Sequence, residues 1–323
     1  MAVFRAALKL VFSLIAILLQ VYSANAEERI TVQLSWSPAP EFGCFYQAQA
    51  ENLYQQAGLT VELRPGGPKL NVEQTLLTGK ADVGVASFAQ KVFIYEQEKL
   101  PLVAIGALFQ RSPLALISRT DRDLSTLEEF SGVPIFMSAH SRLAVWPMLK
   151  KLFNWNDEQA RDYMGTLELP LSLPKAAILG FVSSEPARFR AAGVEPKVLL
   201  LADHGFDDYA YLLAVGKATL DTRRSALRAF VKATFEGCRR YLGSNYLKAH
   251  ELIGKENQDL TAPMMDEARL QLLNNRILGS ADQKDLARML PERWKKMMEA
   301  ARTTGAYGEL AHWQDHVDFN LAD

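Results

Sequence analysis

From Ile30 to Phe109 the spacing of apolar positions switches repeatedly between the strand and helix periods. Ile30–Leu34 alternates and predicts a strand. From Glu41 to about Gln56, Phe42, Phe45, Tyr46, Gln49 and Leu53 recur at helical spacing, with Gly58 as the stop. Leu59–Leu63 alternates again, and Pro65-Gly66-Gly67-Pro68 breaks the chain. A helix is expected over Leu70–Thr78, a strand over Asp82–Ala86, a helix over Gln90–Gln97 and a strand over Leu102–Phe109. This alternation predicts a mostly parallel sheet flanked by helices. Ligands of such sheets sit at the carboxyl ends of the strands. Here those ends are Ser35-Trp36-Ser37, Arg64–Pro68, Ala86-Ser87-Phe88 and Phe109–Pro113.

A second α/β pattern follows: strand Leu114–Arg119, helix Thr126–Phe130, strand Val133–Met137, helix Ser141–Phe153 and, after a less regular stretch, strand Val198–Leu201. From Asp221 the pattern is almost wholly helical, with amphipathic segments at Ser225–Tyr241, Ala262–Leu273 and Gln283–Thr303.

The first 26 residues differ from the rest. Arg5 and Lys9 precede an apolar run, Leu10–Val21, and Ala24-Asn25-Ala26 is a small-x-small cleavage site. The run is short for a bilayer span, so residues 1–26 read as a signal peptide and the mature chain as exported to the periplasm. A net charge of −1 over 323 residues argues against nucleic acid as a partner. The two cysteines, Cys44 and Cys238, could pair in an oxidising compartment or remain buried free thiols.

The segments LSWSPAPEFGCFYQAQAENLYQQAGLTVELRPGGP (Leu34–Pro68), GKADVGVAS (Gly79–Ser87), VAIGALFQRSPLALIS (Val103–Ser118) and GFVSSEPARFRAAG (Gly180–Gly193) resemble the periplasmic binding proteins of ABC importers. The nearest group is the thiamin-pyrimidine family, which also includes fungal pyrimidine synthases and the sulfonate and nitrate receptors. The resemblance implies a two-lobed type II periplasmic-binding-protein fold, α/β in each lobe, with the helical C-terminal region packed on lobe one. Lobe one would comprise 28–113 plus 209–323 and lobe two 114–208. It implies a monomeric receptor that delivers a small molecule to a permease in the inner membrane, with no cofactor and no metal. The expected ligand is a thiamin-precursor aminopyrimidine of the hydroxymethyl or formylamino type. The alternatives are a sulfonate, nitrate or riboflavin-like ligand.

Such a pyrimidine needs aromatic walls and a carboxylate on its amino edge. Trp36, at the end of the first strand, is the stacking candidate. Phe42 and Tyr46 are the rim candidates of the first helix, and Phe45 a weaker one. Glu41 could accept ligand hydrogen bonds or favour the helix N-terminus. Gly66 and Gly67 leave backbone amides open to a ligand. Asn71 could reach the cleft or cap its helix, and Ser87 and Ser112 could donate hydroxyls. The resemblance implies that Glu185, in Phe181-Val182-Ser183-Ser184-Glu185-Pro186, pairs with the amino edge. His140 faces the cleft or merely enters a helix, and Arg111 and Arg142 keep an anionic ligand open. His312 and His316, four apart, lack a metalloprotease glutamate and read as a solvated helix face.

An enzyme of the fungal type is disfavoured. Those enzymes carry a histidine early in the first helix and a cysteine-rich loop, whereas this helix begins Glu41-Phe42-Gly43-Cys44 and the chain has two cysteines. The stretch Tyr163–Ala177 departs from the resemblance: it is shorter, holds Pro170 and Pro174 and shows no clear strand.

Overall fold

The computed structural model describes residues 28–122, 124–279, 286 and 288–321. The expected signal peptide and the start of the expected Gln283–Thr303 helix lie outside them.

Ten strands form two five-stranded sheets. The first contains β1 (Glu28–Gln33), β2 (Leu59–Arg64), β3 (Val83–Phe88), β4 (Leu102–Phe109) and β10 (Ala210–Gly216), in the order β2-β1-β3-β10-β4. The second contains β5 (Leu114–Arg119), β6 (Ile135–Met137), β7 (Ala160–Asp162), β8 (Ala177–Phe181) and β9 (Pro196–Leu200), in the order β7-β6-β8-β5-β9. β1 runs parallel to β2 and β3, and β6 to β7 and β8. β10 is antiparallel to β3 and β4, and β5 to β8 and β9. The antiparallel strand of each sheet is the one the chain forms on arriving from the other sheet. It starts at the facing rim, where the other strands end: Ala210 pairs with Phe88 and Phe109, and Leu114 with Phe181.

β4 and all of β5 but Arg119 are buried, as strands covered on both faces require, and so read as continuous apolar runs. The predicted first helix is three pieces: a 3-10 turn Pro40–Phe42, helix Gly43–Ala50 and helix Leu53–Gln56, with Asn52 left-handed between the last two. The predicted Ser141–Phe153 helix is two, Ala139–Ala144 and Trp146–Leu152, because Pro147 cannot continue the hydrogen-bond ladder. β7, β8, β10 and the helices Glu168–Ser172 and Leu247–Glu256 were not predicted.

The long helix Lys217–Leu242 lies across Gly43–Ala50 at backbone distance. A Cβ on Gly43 would fall 2.2 Å from the Tyr241 ring, and one on Gly237 would fall 2.3 Å from the Cys44 carbonyl oxygen. Between these glycines Cys44 and Cys238 form a disulfide, which closes the choice the sequence left open. The last helix, Pro291–Thr304, reaches beyond the first sheet to touch Trp146–Leu152 beside the second, and the Tyr307 hydroxyl that follows it donates to the Ala144 carbonyl.

Gly237→Ala is expected to lower stability by about 1–3 kcal/mol through this clash, and the Cys44→Ser/Cys238→Ser double variant by about 2–5 kcal/mol. Denaturant titration of the oxidised protein and the two variants, with intact-mass measurement of the bridge, checks both.

Candidate functional site

The rims of the two sheets face each other across a cavity of about 580 Å³, counted out to its mouth. From the first half come Ser35, Trp36, Glu41, Phe42, Ser87, Phe88 and Tyr211; from the second, Ser138, His140, Ser141, Tyr163, Gly180, Phe181 and Glu185.

Trp36 sits in the bend after β1, where its carbonyl accepts the Gly66 N–H at 2.9 Å. Its ring reaches the other half, edge-on to His140 at 6.4 Å and 3.6 Å from where a Gly165 Cβ would stand. The floor is aromatic. Tyr211 stacks between Phe42 at 5.0 Å and Phe109 at 4.6 Å, with Phe181 tilted against it at 5.5 Å. Tyr211 has φ of 48°, an unfavourable conformation for a bulky residue that costs roughly 1–3 kcal/mol and is held by its surroundings.

Two carboxylates close the polar side. Glu41, in the 3-10 turn, is 4% exposed and accepts the Ser183 hydroxyl at 2.7 Å, a bond that joins the two halves. Glu185, the first residue of helix Glu185–Ala191, folds back over Gly180 to accept the Phe181 N–H at 2.7 Å. A Cβ on Gly180 would fall 2.5 Å from that carboxylate, so only glycine leaves it room. Loss of water pushes both acids above the usual carboxylate range. Glu185 rises to about 7, burial being the largest cause and the Glu41 charge adding to it, against the Phe181 N–H and Arg188. Glu41 is raised by burial and held back by Ser183. Burial and the Lys91 charge lower the pKa of His140. Among the described residues, no lysine or arginine lines the cavity.

Residues 39–243 match the family model described as "NMT1/THI5 like". The chain belongs to the NMT1/THI5-like family. A relative called riboflavin-binding protein RibY, from Chloroflexus aurantiacus, is 25% identical over 65% of this chain and 61% of its own length. The chain thus spans about three-fifths of that relative. Among solved structures, the alkanesulfonate-binding protein SsuA of Xanthomonas axonopodis pv. citri superposes with TM-score 0.67 at 9% identity, over 90% of this chain and 98% of that one. The periplasmic nitrate-binding protein NrtA of Synechocystis PCC 6803 gives 0.65 at 8% identity, over 92% and 87%. Such identities establish the fold alone: it is the type II periplasmic-binding-protein fold that the sequence predicts.

Within this NMT1/THI5-like cavity the structure brings together Trp36, Glu41, Phe42, Ser87 and Glu185 of the predicted site residues. It places the other five elsewhere. The Tyr46 hydroxyl points away from the rim and donates to Glu256 at 2.8 Å, while Phe45 packs on Phe230 in the core. Gly66 abuts the backbone of Leu34 and Ser35 and supports the Trp36 bend. The Gly67 carbonyl faces His140 Nε2 at 3.4 Å, so the loop touches the opposite half. Asn71 caps its helix, its side chain accepting the Gln74 N–H at 2.9 Å. Ser112 ties the two inter-sheet passages together, donating its N–H to Asp207 at 3.2 Å.

Arg111 donates to Asp203 and to the Asn275 carbonyl, and Arg142 to Asp162, so neither is turned to the cavity. His316 is not solvated as expected: its Nδ1 lies 2.8 Å from the Leu102 carbonyl oxygen and its Nε2 3.3 Å from Glu96. The sequence reading missed Tyr163, Phe181, Phe88 and Tyr211. Of these only Phe88 lay in a predicted strand-end segment.

Two outcomes are expected. Gly180→Ala displaces the Glu185 carboxylate and weakens ligand binding by about tenfold or more with the fold intact, as calorimetry and circular dichroism would register. Glu185 binds its proton more tightly folded than unfolded, so its contribution to stability falls as pH rises through the window between the ordinary carboxylate value and about 7. The melting temperature of ligand-free wild type should therefore fall relative to Glu185→Gln between about pH 5 and 8. Parallel curves would show that the acid is not buried.

Proposed function

We propose that this chain is an exported, non-catalytic solute-binding protein that captures a planar, nitrogen-rich heterocycle between two lobes, 28–113 plus 209–323 and 114–208. It passes the ligand to an ABC-type permease. Trp36, Glu41, Phe42, Ser87 and Glu185 make the contacts. The bond from Ser183 to Glu41 helps to hold the lobes closed, and hinge closure is the signal the permease reads.

One observation carries the ligand class: two buried acids share an aromatic-walled cavity whose described lining holds no lysine or arginine, and whose one histidine, His140, is held towards its neutral form by burial. A sulfonate or nitrate brought there would meet two carboxyl groups and no lysine or arginine in the lining to pair with it, and burying an unpaired anion costs several kcal/mol. An aminopyrimidine supplies what the acids lack. Its amino group donates to a carboxylate oxygen, its adjacent ring nitrogen accepts from a protonated acid, and its faces fit between Trp36 and the aromatic floor. The disulfide supports maturation outside the cytosol. A flavin-like ring is the second reading, favoured by the RibY relative.

Thermal shift of the mature protein against 4-aminopyrimidines, riboflavin, taurine and nitrate tests the class. Stabilisation by aminopyrimidines and not by the anions is expected; a response to the anions alone would overturn the reading. Trp36→Ala and Glu185→Ala should each weaken aminopyrimidine binding at least tenfold, about 1.4 kcal/mol, by titration calorimetry.

A further inference from the structure

The C-terminal part of the chain holds both passages between the sheets. On the passage from β4 to β5, the Gln110 and Arg111 N–H groups donate to the Ile277 carbonyl at 2.8 and 3.1 Å, and the Arg111 side chain donates to the Asn275 carbonyl at 3.1 Å. On the passage from β9 to β10, the Tyr209 hydroxyl accepts the Leu290 N–H at 2.9 Å. Arg293 lies over the Tyr209 ring at 4.1 Å and donates to the Asp207 carbonyl at 3.0 Å.

The same part is anchored in the first half and reaches into the second. Trp294 stacks on Trp313 at 5.9 Å, and the Asp318 N–H donates to the Ala104 carbonyl of β4 at 2.8 Å. Helix Pro291–Thr304 packs on helix Trp146–Leu152 of the second half. Met297, Met298 and Ala301 share one buried apolar cluster with Trp146 and Leu149. The buried Tyr307 meets Phe93 of the first half edge-on at 5.1 Å, while its hydroxyl donates to the Ala144 carbonyl of the second.

Other contacts between the halves are of a weaker kind. His140 Nε2 lies 3.4 Å from the Gly67 carbonyl oxygen, at the outer limit of a hydrogen bond. The Arg190–Glu267 ion pair, between helices Glu185–Ala191 and Ala262–Asn274, is partly exposed, and water and salt weaken such pairs. Two lobes move freely past each other unless the surface between them is large and apolar. Parting Pro291–Thr304 from Trp146–Leu152 would return apolar surface to water. β2 and β7, the edge strands farthest from the passages, carry no such tie among the contacts described.

We infer that segments 275–277 and 290–318 form a brace that keeps the halves together along helix Trp146–Leu152, so that the cavity opens only at the end where Trp36 and the Gly66-Gly67 loop face His140 and Gly165. The inference rests on the proposed lobe closure and gives it a direction.

Spin-label distance measurements on the ligand-free mature protein, its native disulfide intact, test this. One pair, Lys69→Cys/Met164→Cys, spans the opening end; the other, Glu158→Cys/Lys295→Cys, spans the brace, and all four native residues are exposed. The distance distribution across the opening end is expected to be at least about twice as broad as that across the brace. Equally broad distributions would show lobes that move without a brace and refute the inference alone. Two narrow distributions would show that the halves do not part, and lobe closure would fall together with the brace. Ala301→Asp, which puts a charge into the buried contact, is expected to broaden the brace-side distribution with the fold intact by near-ultraviolet circular dichroism. An unchanged brace-side distribution in the folded variant refutes the inference; if the variant does not fold, the two pairs without it decide.

Discussion

The structure around the cavity is organised by the difficulty of keeping two like charges out of water. Glu41 and Glu185 cannot both be ionised in a space walled by Trp36, Phe42, Phe181 and Tyr211 without a large loss of solvation. The protein offsets part of that loss with one good donor each, Ser183 and the Phe181 N–H. The Arg188 charge offsets a further part, and each acid still holds its proton more tightly than it would in water.

Much of the fold was legible because burial on both faces writes long apolar runs into strands. Leu102–Phe109 and Leu114–Arg119 were placed to the residue. β10 was not, because it passes straight into the helix at Lys217 and the run Ala210–Gly216 carries no turn signal. β7 is three residues, too short for a period to show, whereas β6, equally short, falls inside the predicted strand Val133–Met137. The cysteines could not be paired from sequence because 194 residues separate them and only the packing of two helices brings them together.

The cavity lining was legible where chemistry and predicted strand ends coincide, as at Trp36 and Ser87, while Glu185 came from the resemblance, since the strand before it was not predicted. It was obscure where an aromatic residue doubles as core. Phe42 and Tyr46 sit on one helical stripe, but the chain starts as a 3-10 turn and only Phe42 meets the rim. Asn71 had two readings of comparable chemistry, and the local one, capping, is what the backbone uses. Tyr163 lies at the start of the stretch that departed from the resemblance, so its part in the wall could not be anticipated. Tyr211 lies in a strand that was not predicted, and its part in the floor shows only in its backbone angle and its two stacking partners.

The position of β10 also bears on the order in which the chain can be assembled. It fills the gap between β3 and β4, so β4 has no partner in the first sheet until the polymer has been made past Gly216. The second sheet is drawn wholly from residues between Leu114 and Leu200 and suffers no such delay. Its nucleus can condense while β4 still waits for the strand that joins it to β3. The aromatic floor, which needs Tyr211, is therefore among the last parts to take shape.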